Sequence, residues 1–132
     1  MGHGRSLLPL LRGETPAGWR QQAVSSTCFG ARAASAGLGR TTLVTPDWTY
    51  LYLGSTGYGE LYDPRSDPEQ LHNLATERPE VQRDLHGRLI EHLEGLGTAA
   101  PYLDPRREPP RPAPRAGLWI APQGRDPSAQ LL

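Results

Sequence analysis

Between Glu60 and Ala75 the chain reads ELYDPRSDPEQLHNLA. This stretch constrains the fold more than any other, because each residue has a local job. Glu60 to Asp63 alternates as the end of a strand. Asp67 is an N-cap type, whose carboxylate accepts from the free amides of a first helical turn. Pro68 suits the first helical position, where a missing N–H costs nothing. Gln70 stands three residues after Asp67, as a capping box requires. Leu71 and Leu74 share one face of the resulting short helix. Asn73 is suited to end it, since Asn tolerates positive φ. The stretch is therefore read as a device that turns a strand into a helix. On this reading Asp63, Asp67 and Glu69 are turn and capping groups, not an acid–base pair.

The flanking sequence supplies a small sheet and a longer helix. Ala23 to Phe29 and Arg40 to Thr45 read as strands, the second rich in Thr and Val. Pro46-Asp47 makes a turn. Trp48 to Leu53 alternates strictly, with Trp48, Tyr50 and Tyr52 on one side and Thr49, Leu51 and Leu53 on the other. Gly54 to Gly59 is a glycine-rich turn that joins two strands. Pro79 to Leu96 is the clearest helix, with Val81, Leu85, Leu89, Leu93 and Leu96 along one face and Asp84 paired to Arg88 four residues on. Gly95 and Gly97 end it. Beyond it Pro and Arg dominate, which predicts an extended or disordered tail, with Leu118-Trp119-Ile120 as an apolar island. The expected fold is α+β: an antiparallel sheet of three to four strands against one carboxyl-terminal helix. The divisions are a linker over 1–21, an α+β unit over 22–97 and a Pro/Arg-rich tail over 98–132.

Two segments carry a resemblance. Glu60 to Asp63, then Asp67, Pro68, Glu69, Asn73, Leu74 and Ala75, resemble the "ELYDL…DPxExxNLA" signature near the carboxyl end of sulfatases of the alkaline-phosphatase superfamily. Pro64 replaces the usual apolar residue, and the Glu is one place off. Upstream, Gly4-Arg5-Ser6-Leu7-Leu8-Pro9-Leu10-Leu11-Arg12-Gly13 resembles the "GxSLLPLLxG" segment that bridges the two parts of such enzymes. The landmarks occur in the family's order and span about residues 4–96. The resemblance implies a chain that begins after the catalytic domain has ended and braces it. The sulfatase catalytic domain is the implied partner. The family's Ca²⁺ and its formylglycine nucleophile are implied only for a full-length parent.

The residues agree that chemistry is sparse. Cys28-Phe29-Gly30-Ala31-Arg32 spaces Cys and Arg as in the family's C-x-P-S-R motif, but it lacks the Pro and follows the bridging segment. Cys28 is the single cysteine, read as a small buried residue. No paired aspartates suggest a cation site. His3, His72, His86 and His92 are scattered and read as surface residues, with no chelating i,i+4 pair. No catalytic or metal residue is therefore assigned. All fourteen basic residues are Arg and balance fourteen acids, so no overall field favours nucleic acid or an anionic membrane. No apolar run reaches the length of a membrane span. The start is too short and too interrupted, by Pro9 and Arg12, for a signal peptide, so the chain reads as cytoplasmic as encoded.

The strand Trp48 to Leu53 carries bulk on both faces, and one helix covers only one. Leu51 and Leu53 are expected to face the helix, leaving Trp48, Tyr50 and Tyr52 outward. That outward row has two readings. It is an apolar patch that seeks a catalytic domain or self-associates. Alternatively it is a stacking platform for carbohydrate or protein in a stand-alone binding module.

Overall fold

Four strands follow one another and pair in chain order: β1 (Ala23–Ser26), β2 (Thr41–Val44), β3 (Thr49–Tyr52) and β4 (Tyr58–Tyr62). Neighbours are antiparallel. The computed structural model describes residues 5–26 and 39–114. Cys28 to Arg32 and the island Leu118-Trp119-Ile120 lie outside the described residues. Three helices are described: α1 (Leu8–Leu11), α2 (Pro79–Gly95) and α3 (Ala100–Leu103). A short 3-10 turn, Asp104–Arg106, follows α3 and leads to a fifth strand, β5 (Arg111–Pro112). The class is α+β, as expected.

The turns are those the sequence indicates. At Pro46-Asp47 the Thr45 amide donates to the Trp48 carbonyl at 2.8 Å, and the Thr45 hydroxyl accepts from the Trp48 amide at 3.0 Å. Gly54–Thr56 forms a 3-10 turn closed by Gly57 at φ 67°. Helix α2 begins at Pro79 and ends in a Schellman motif. Gly97, at φ 71°, donates to the Glu94 carbonyl at 2.8 Å, and Thr98 donates to the Leu93 carbonyl at 3.1 Å.

Two expectations are corrected around the sheet. The sheet is mixed, because β5 pairs parallel to β4. The Pro/Arg-rich segment is thus packed as far as Pro114. Proline does not forbid this at an edge. Arg111 donates to the Gly57 carbonyl at 2.9 Å and Ala113 to the Gly59 carbonyl at 2.8 Å. Pro112 falls between them, where an N–H would point away from β4. Gly59 gives the segment close passage where it crosses. A Cβ there would lie 3.0 Å from Gln82 Nε2 and from Pro110 Cγ.

The second correction concerns which face meets the helix. Val24, Leu43, Tyr50 and Leu61 are cross-strand neighbours. They pack toward Leu85, Leu89 and Leu93 of α2 in one core. The tyrosine row is therefore the inward one, with Tyr50 and Tyr52 buried. Leu51, on the other face, is half-buried. Burying two tyrosines requires hydroxyl partners, and the helix and the strap after it supply them.

The stretch after β4 does not form the expected helix. It is a series of turns, and the positive φ falls on Gln70 rather than Asn73. Asp67 still caps backbone, accepting from the His72 amide at 2.7 Å. Leu71 is exposed, and no capping box is seen among the described contacts. Asn73 has a larger role. Its Oδ1 accepts from the Leu61 and Ala75 amides, both at 3.0 Å. Its Nδ2 donates to the Ala113 and Pro114 carbonyls at 3.2 and 3.0 Å. One buried amide thus joins β4, the turn and the strand-forming strap.

Candidate functional site

The aromatic row resolves into two environments. Tyr50 is fully buried, and its hydroxyl lies 3.0 Å from His86 Nδ1. The two rings meet edge to face at 6.1 Å. The Tyr52 ring is 5.8 Å from His86, and its hydroxyl donates to the Pro105 carbonyl at 3.4 Å. Arg106, also fully buried, stands 6.0 Å from the Tyr52 ring. Its guanidinium donates to the Tyr102 and Gly39 carbonyls. Burial pushes both phenols above the ordinary tyrosine range. It pushes His86 and Arg106 below theirs, favouring the neutral imidazole. Tyr50 and Tyr52 consequently offer no open ring face to a ligand. They brace the sheet against α2 and the strap.

His86 was read as a surface residue and is buried. The missed signal is its spacing. Gln82 and His86 are four apart on α2, beside the leucine stripe, and both are buried. Gln82 Nε2 donates to the Pro110 carbonyl at 2.9 Å, so this polar stripe faces the strap.

The carboxylates of the motif are structural. Asp63 Oδ1 accepts from the Arg65 and Ser66 amides at 2.9 and 3.3 Å. Hydrogen bonds from Ser66 and Arg65 hold its carboxyl below the usual range. The His72 amide does the same for Asp67. Glu60 is buried and accepts from the Tyr62 hydroxyl at 3.0 Å. No group of three or more His, Cys, Asp or Glu residues among the described residues is placed to hold a metal ion.

Two surface features remain. Leu7, Leu8, Leu10 and Leu11, at and beside α1, are 61%, 49%, 40% and 82% exposed. They form an apolar ridge that the other described residues leave exposed. Trp48, half-buried, lines a groove of about 490 Å³ between the β2–β3 turn and the first turns of α2.

No protein-family model and no curated protein matches this chain. Solved structures do match. Against a 2-O GAG sulfatase the TM-score is 0.59 at 21% identity, covering 83% of this chain and 25% of that one. Against a putative sulfatase from Bacteroides thetaiotaomicron it is 0.57 at 22% identity, covering 85% and 23%. Against the phosphonate monoester hydrolase of Agrobacterium radiobacter it is 0.50 at 25% identity, covering 67% and 20%. The chain thus spans a quarter or less of the length of these structures. Over most of its residues it has the fold of a part of the sulfatases and their phosphonate-hydrolysing relatives in the alkaline-phosphatase superfamily.

Proposed function

We propose that this chain is the carboxyl-terminal, non-catalytic part of a sulfatase-like hydrolase, and that it braces a catalytic domain and the rim of its pocket. The observation that carries this reading is the shared fold: most of this chain superposes on a quarter or less of each sulfatase. The two sequence landmarks occur in the order the family has them. The leucine ridge at and beside α1 adds an apolar surface suited to a neighbouring domain. In such a parent, Ca²⁺ and the formylglycine nucleophile would belong to the catalytic part.

The test is hydrolysis of an aryl sulfate and an aryl phosphate by the 132-residue chain, with Ca²⁺, Mg²⁺ or Mn²⁺ added. No turnover is expected. Turnover that disappears in Cys28→Ala would place a nucleophile in this chain and overturn the non-catalytic assignment.

A further inference from the structure

We propose that the groove beside Trp48 is a binding subsite for an uncharged sugar ring. This inference is separate from the hydrolase reading. It rests on three features of the groove: an aromatic lining residue, a polar rim, and the balance of charge.

Trp48 and Val81 of α2 are among the apolar residues that line the groove. An indole offers a broad, weakly polar face with little conformational freedom to lose, which suits the C–H face of a pyranose. Its backbone is fixed by the two Thr45 hydrogen bonds across the turn. A groove of about 490 Å³ is large enough to hold a pyranose ring.

The rim is polar and exposed. Asp47 is held by Arg65 at 2.7 Å, and Asp84 by Arg88 at 3.0 Å. Glu80 stands one turn before Asp84. Carboxylates accept from sugar hydroxyls, and the Arg88 guanidinium and the Gln21 amide donate to them.

Charge selects among ligands. Asp47, Glu80 and Asp84 face the groove against the single guanidinium of Arg88. Arg65 and Arg88 compensate Asp47 and Asp84, so among the lining carboxylates Glu80 alone repels a sulfated or uronate sugar, and a cation finds one unmatched charge. An uncharged ring avoids the repulsion and needs no unmatched charge.

The experiment is NMR titration of the full chain, following the Trp48 indole N–H, assigned by its absence in Trp48→Phe. The probes are cellotriose, mannotriose, galactotriose and chitotriose, with a heparin tetrasaccharide and tetra-arginine as charged comparators. At least one neutral trisaccharide is expected to shift the Trp48 signal saturably. Affinity should fall roughly ten-fold, about 1.4 kcal/mol, in Glu80→Ala/Asp84→Ala. Both residues are exposed, so the fold should survive. The charged comparators should leave the signal unmoved. Silence toward all four neutral sugars up to about 20 mM, well above millimolar affinity, overturns the proposal. So does a Trp48 response to heparin tetrasaccharide or tetra-arginine that equals or exceeds the neutral response. Neither result bears on hydrolysis by the chain.

Discussion

Asn73 shows how much a single amide can hold in a lean fold. It accepts twice and donates twice, and its carbonyl partners lie some forty positions along the chain. Asn73→Ala takes the acceptor from the buried Leu61 and Ala75 amides, while the Ala113 carbonyl keeps the Thr76 hydroxyl; each buried amide left unpaired costs about 1–3 kcal/mol. A net loss of roughly 3 kcal/mol is expected from urea denaturation. Asn73→Asp keeps the acceptor and removes the donor, so it should loosen the strap more than the turn. Amide exchange at Ala113 checks this. His86 makes a second prediction at this scale. Burial between Tyr50, Tyr52 and the Arg106 region lowers its folded value below the ordinary 6.5. Arg107, paired with Glu94 and Asp104, is the next charged group on the strap. Below pH 6.5 the unfolded chain binds a proton that the folded chain refuses. Stability should therefore be full above that value, fall with pH beneath it, and level off once the folded imidazole titrates. His86→Gln should flatten this part of the profile. The depressed Asp63 and Asp67 carboxyls act in a lower window, where stability is lost on acidification below their ordinary 3.8.

At the scale of elements, the strap from α3 to β5 is the addition that most changes the fold. It crosses β4 at Gly59, where a Cβ would be tightly packed. Gly59→Ala places a methyl 3.0 Å from Gln82 Nε2 and Pro110 Cγ, and 3.1 Å from Tyr50 Cε2. Overpacking of this kind costs about 1–3 kcal/mol. A lower urea midpoint and faster proteolysis between Thr98 and Pro114 are expected. The strands β2 and β3, helix α2 and its glycine terminus were legible because period and turn chemistry are local signals. Strand β5 was not. Proline density is read against an extended pairing partner, yet an edge strand needs only alternate amides. The direction of the tyrosine row was also hidden. Alternation shows that β3 has two faces but does not say which one the helix takes. That choice follows from polar partners, and Gln82 and His86 were the clue. The helix expected after Asp67 failed for a related reason. Asp67 and Asn73 supply backbone partners through side chains, so the turn stays stable without helical bonds.

For the whole molecule, the exposed ridge of Leu7, Leu8, Leu10 and Leu11 is the feature most at odds with a solitary life in water. The isolated chain should bind a hydrophobic dye and self-associate in sedimentation. Leu7→Lys/Leu11→Lys should abolish both with little loss of folded stability, since these side chains already face water. A wild-type chain that is monomeric and dye-silent would remove the bracing role. The likeness in fold to the sulfatases was readable because two landmarks kept their order. Trp48 was readable as a candidate contact, but its groove needed the helix and turn to be set beside each other. Strand β5 carries a further consequence, in time rather than in space. Its partner β4 ends at Tyr62, while the pairing residues are Arg111 and Pro112. A ribosome synthesising this chain therefore releases four strands and the main helix well before the last edge exists. Until Ala113 emerges, β4 is an open edge and Asn73 lacks both of its carbonyl acceptors. Closing so long a loop is slow compared with forming the hairpins. The nascent domain thus passes through a stage in which its β4 edge is exposed to other chains, and arrival of the β5 segment is what closes it.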